Sequence, residues 1–163
     1  MSSNHRHGAI LASGRNIHPY RTEKEIEVQW LGIGVASFRR QAVEEEPFDE
    51  NFDLGEDVEF SYRVGRKWRL IVTPEARLEH HKSAISRVPK NESIAREIEF
   101  RHNWIKTKPG KNVNLAAFWI SVIGEMTIAF VAGALRRDPD GYMRARAIAR
   151  GGWSCLRGRA TQT

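Results

Sequence analysis

Residues 48–57 read FDENFDLGED, and VEFSYRV follows at 58–64. Glycine at 55 stands before the paired carboxylates Glu56 and Asp57, and acids in a first turn suit the positive end of a helix dipole. A helix is predicted from Glu56 to Val64, with Gly65 as its stop and cationic Arg66 and Lys67 just beyond. Upstream, Pro47 ends the one or two helical turns expected over Ser37 to Val43. Earlier still, Glu25 to Trp30 alternates as a strand leading into Gly32-Ile33-Gly34, and the first twenty-odd residues read as loop or short edge strand. Downstream, Trp68 to Val72 has strand composition and Thr73-Pro74 interrupts it. A period of two then puts Ala76, Leu78 and His80 on one face.

After Pro89 the pattern turns helical. Ile94, Ile98 and Ile105 share a stripe, with Phe100 and Trp104 beside it, before Lys108-Pro109-Gly110 breaks the chain. Val113 to Leu135 is the most apolar stretch, about 34 Å long as a helix and enough to cross a bilayer core. Glu125 near its middle is costly there. Three readings stay open: a transmembrane span, an interfacial helix, or a helix packed on the rest of the protein. The segment from Arg136 to Arg159 carries seven arginines against Asp138 and Asp140, which suits an anionic bilayer surface. Asp138-Pro139-Asp140-Gly141 is turn chemistry linking two helices. A chain of 163 residues with a net charge of +6 favours anionic partners. Cys155 is the only cysteine, so no intrachain disulfide forms and a reducing cytoplasm fits. No run of signal-peptide character opens the chain.

Three pieces matter together, in this order: GIGVASFRR at 32–40, FDENFDLGED at 48–57 and WRLIVTPEARLEHH at 68–81. Asp49-x-Asn51-x-Asp53 matches the opening of a calcium loop, but Leu54 and Phe60 stand where that loop needs glycine and glutamate, so calcium is excluded. The order from Phe38-Arg39-Arg40 through Phe48-Asp49-Glu50 and Gly55-Glu56-Asp57, then Gly65 and Trp68, to Pro74-x-Ala76-x-Leu78-x-His80 resembles the second half of the catalytic domain of glycosyltransferase family 2. Arg101-His102-Asn103 and the segment from Gly151 to Gly158 resemble the helical tail of membrane-associated members.

That resemblance implies an α/β chain: part of a GT-A mixed sheet with helices, followed by a mainly helical region. The expected division is residues 1–88 as the acceptor side of the catalytic domain and 89–163 as a basic, membrane-associated tail. It implies inverting transfer of a sugar from a nucleotide-diphospho-sugar to a saccharide or lipid-linked acceptor. Asp57 matches the general base and Glu56 its supporting carboxylate. Arg39, Arg40 and Gly34 fall where substrate or phosphate is bound, and His80 where the family has a histidine near a divalent metal, magnesium or manganese. The family's nucleotide-binding half and its metal-binding Asp-x-Asp have no counterpart here, so the chain is expected to be a fragment, inactive alone. Its expected place is the cytoplasmic face of the membrane. The alternative is a non-enzymatic basic module binding anionic membrane or nucleic acid, although the tail interleaves aromatics too sparsely for the latter.

Overall fold

The computed structural model describes residues 8–18, 22–52, 54–77, 79, 88–107 and 113–158. The chain divides into two compact units. One comprises residues 1–11 and 15–83, the other residues 12–14 and 84–163.

In the first unit, strand β1 (Ile26–Val28) pairs antiparallel with β2 (Leu70–Val72), Glu27 standing opposite Ile71. Helix α1 (Arg40–Glu45) and helix α2 (Glu56–Val64) lie between them in sequence. The core is small: Val28, Ala42, Phe60, Val64 and Leu70 are buried, fringed by Leu31, Phe38 and Trp68. The expected GT-A mixed sheet is not what forms. Among the described residues there are five α-helices and one two-stranded antiparallel sheet, and the molecule is mostly helical. The cause is local. Each strand runs three residues, Pro74 lacks the N–H that would extend β2, and Ala76 and Arg77 join no strand. Leu78 and His80 of the expected last strand lie outside the described residues.

The second unit is helical. Helix α3 (Lys90–Thr107) buries Ala95, Ile98, Trp104 and Ile105, close to the stripe its spacing predicts. Helix α4 (Leu115–Arg136) is capped by Asn114, whose side chain accepts the Ala117 N–H at 2.7 Å. It is long and apolar enough to cross a membrane. Arg137 adopts a left-handed conformation, φ 50°, and ends it. Helix α5 (Pro139–Leu156) then starts with Pro139 in its first turn and Asp138 as cap, accepting from the Asp140 N–H at 3.0 Å. So Asp138-Pro139-Asp140 is a helix start, and Asp140 also pairs with Lys90. α4 and α5 cross where glycines meet: a Cβ on Gly141 would stand 2.5 Å from the Gly133 Cα.

Glu125 has a partner that its sequence context hides. It faces Arg101 of α3, which is fully buried and donates to Glu125 Oε1 at 3.1 Å and to Ser121 Oγ at 3.1 Å. Ser121 in turn donates to Glu125 at 2.7 Å. The charge in the middle of the apolar helix therefore points inward and is neutralised. The opposite face carries Ile120, Ile123, Ile128, Val131 and Leu135, all exposed.

Candidate functional site

Helix α2 is fixed by the motifs that surround it. Phe60, wholly buried, receives Phe38 edge-on at 5.0 Å between ring centroids and Phe48 stacked at 4.1 Å. Aromatics from two of the three sequence pieces thus converge on helix α2. Arg63, one turn further on, bonds Glu59 at 2.7 Å, Glu46 at 3.0 Å and the Pro47 carbonyl at 2.7 Å, tying down the acidic segment before the helix. Lys67 and Arg63 hold the Glu46 carboxyl below its ordinary value.

The amino end of α2 is set by Gly55. Its φ of +77° is left-handed, a conformation that side chains with a Cβ rarely adopt, which is why glycine precedes the carboxylate pair. Glu56 is exposed in the first turn and Asp57 is half-buried beside it. Asp57 Oδ1 accepts the Val58 N–H at 2.8 Å. Burial pushes the Asp57 carboxyl above the usual aspartate range. The Val58 N–H and the charge of His18 oppose that rise, and the Glu56 charge adds to it.

His18 and its support are the part that sequence reasoning missed. The His18 ring meets buried Trp30 edge-on at 4.8 Å, and Trp30 Nε1 donates to the Ile17 carbonyl at 3.0 Å, fixing the backbone that carries His18. Ser61, one turn after Asp57, bridges to the segment leaving β1: its Oγ accepts the Leu31 N–H at 3.0 Å and donates to the Leu31 carbonyl at 3.2 Å. The only local hint was the burial-prone Trp30 at a strand exit. Nothing in spacing joins His18 to Asp57.

The other expected site residues stand apart from this pair in what they do. Gly34 sits in an exposed 3-10 turn, Ile33–Val35. Arg40 is exposed and engaged by Glu44 at 2.7 Å, while Arg39, exposed at the start of α1, pairs with no carboxylate among the described residues. His80 lies outside the described residues. Among the described residues no three His, Cys, Asp or Glu side chains are grouped as metal ligands. Asp49, which opens the partial calcium-loop pattern, accepts from both the Asn51 backbone N–H at 3.1 Å and its side-chain amide at 2.7 Å.

The chain matches no protein-family model, no curated protein and no solved structure. The chemistry of the site therefore rests on its own groups. They are a half-buried carboxylate raised in basicity, a second exposed carboxylate beside it, and an imidazole whose charge acts on the first.

Proposed function

We propose that the first unit takes part in inverting sugar transfer from a nucleotide-diphospho-sugar to a hydroxyl acceptor, with Asp57 as general base. The observation that carries the reading is Asp57 itself: a carboxylate fixed in the first turn of a helix, partly withdrawn from water and more basic than an ordinary aspartate. A base raised toward working pH removes a proton more effectively once ionised. The acceptor O–H proton passes to Asp57 as the oxygen attacks the anomeric carbon. The bond from that carbon to the nucleoside diphosphate breaks, and the diphosphate leaves with the electron pair. Glu56, exposed next to the base, orients the acceptor, and His18 tempers the Asp57 charge. Arg39, exposed and pairing with no carboxylate among the described residues, is available for an anionic substrate group. The likeness to glycosyltransferase family 2, carried by the order of residues 38 to 80, supports the roles given to Asp57, Glu56 and Arg39.

The second unit holds this chemistry at a membrane. Its support is the exposed apolar face of α4 beside the arginines of α5, a pairing that fits the cytoplasmic face of an anionic bilayer, where lipid-linked acceptors are met.

The test is release of nucleoside diphosphate from a panel of nucleotide-sugars, by the chain alone and with a glycosyltransferase nucleotide-binding half supplied covalently or separately. The chain alone is expected to be silent and the supplemented chain active. Asp57→Asn is expected to lower kcat about 10²- to 10⁴-fold while nucleotide binding persists. Glu56→Gln costs less. Transfer by Asp57→Asn at the parent rate, or silence in both arms, overturns the reading.

A further inference from the structure

Between α4 and α5 runs a groove of about 430 Å³, lined by Met126, Thr127 and Phe130 of α4 and by Tyr142, Ala145, Arg146 and Ala149 of α5. That volume lies within the roughly 300–1,000 Å³ of ordinary ligand sites. Its walls are hydrocarbon and aromatic, and Phe130 meets Tyr142 edge-on at 5.7 Å to close one side. One cation stands in the lining, the Arg146 guanidinium, which is exposed and pairs with no carboxylate among the described residues. Arg150 follows one helical turn later on the same face, and Trp153 and Arg157 continue it, the guanidinium of Arg157 lying 4.7 Å over the Trp153 ring. On the other side the groove adjoins the outward face of α4, where Ile123 precedes Phe130 by two turns and is exposed.

We propose that this groove binds a single anionic phospholipid from the bilayer, one acyl chain lying between α4 and α5 and the phosphate held by Arg146. The proposal rests on the membrane reading of the second unit and adds a defined site to it. An apolar trough with one unneutralised guanidinium at its rim matches the two halves of such a lipid. A soluble anion matches only the guanidinium and leaves the hydrocarbon walls wet. A lipid without a phosphate matches only the walls, and in phosphatidylcholine the choline cation offsets the phosphate charge. Arg is suited to the task because its planar donor fork engages two phosphate oxygens together.

The experiment uses the full chain with vesicles of phosphatidylcholine alone or mixed with phosphatidylglycerol. Flotation reads membrane binding, and mass spectrometry of the detergent-extracted protein reads the lipid retained. The parent chain is expected to float with the mixed vesicles and to keep one phosphatidylglycerol. Ala149→Trp fills the groove at an exposed position, so it is expected to float and to keep none. Arg146→Gln is expected to weaken retention about 10- to 100-fold, the value of hydrogen bonds to a charged group. Circular dichroism confirms that both variants are folded. A variant that floats and retains lipid like the parent overturns the site while leaving membrane association intact. Equal retention of phosphatidylcholine, or displacement of the lipid by glycerol phosphate at the concentration of the lipid, also overturns it. Failure of the parent to float defeats the membrane reading beneath it.

Discussion

At the scale of single residues, Asp57 and Cys155 show what burial does to an ionisable group. Asp57 is more easily protonated in the folded chain than in the unfolded one. Its contribution to stability is therefore complete below the unfolded aspartate value of about 3.9 and is lost as pH rises through the higher folded value. Asn keeps an oxygen that can accept the Val58 N–H and removes the charge. Asp57→Asn is expected to stabilise the first unit at pH 7, with the advantage over the parent vanishing below about pH 4. Urea denaturation of both proteins at the two pH values checks this, and a variant less stable than its parent at pH 7 contradicts the burial argument. Cys155 is buried in α5, and desolvation, then the Glu99 charge, pushes its thiol up to about 12. Alkylation at neutral pH is accordingly expected only as fast as the second unit opens, since the thiolate is the reactive form. Rapid labelling of the native protein would show the site to be open.

At the scale of elements, the helices were legible and the sheet was not. Helix α2 begins and ends at the residues that the Gly55-Glu56-Asp57 start and the Gly65 stop define, because a helix is closed by contacts within one stretch of chain. The stripe of α3 and the apolar run of α4 were visible for the same reason. A strand is completed by a partner elsewhere. Trp68 to Val72 reads as strand, yet nothing local says that Leu70 pairs with Val28 and that no wider sheet follows. Likewise Glu56 and Asp57 stood out as a pair, while His18 enters their surroundings only through Trp30 and Ile17. Glu125 misled in the other direction. It argued against an apolar span until Arg101, from another helix, accounted for it. Two predictions belong here. Arg101→Met takes from the half-buried Glu125 carboxylate the guanidinium it faces and is expected to cost about 3–5 kcal/mol, with much of the loss recovered when Glu125→Met is added. Thermal denaturation of the single and double variants decides it, and additive losses contradict the pairing. Gly141→Ala forces a methyl against the Gly133 backbone at 2.5 Å, where no side chain can yield. A loss of about 1–3 kcal/mol is expected, typical of overpacking.

At the scale of the whole molecule, the two units are chemically unlike. The first presents carboxylates around the amino end of α2, and the second presents hydrocarbon and arginine. A helix with the hydropathy of α4 normally hides its whole circumference or lies in lipid. Here one face is filled by Phe118, Val122, Ala129 and Gly133, and the other is left open. Ile120 is 73% exposed and Ile128 is 71% exposed, so neither contributes much to the packing of the unit. Those two side chains allow membrane binding to be separated from folding. Ile120→Asp with Ile128→Asp should leave thermal stability nearly unchanged, because surface substitutions away from packed features usually shift stability by about 0.5 kcal/mol or less. The same double variant should lose binding to anionic vesicles, because each carboxylate would have to enter the acyl region with no partner such as Arg101 supplies to Glu125. For the parent chain, salt screens the attraction of Arg146, Arg150 and Arg157 over a Debye length of about 3 Å at 1 M, but leaves apolar burial in place. Raising salt is therefore expected to release only part of the bound protein. Complete release by salt would assign the binding to arginine alone, and vesicle binding by the double aspartate variant at the parent level would remove α4 from the membrane contact.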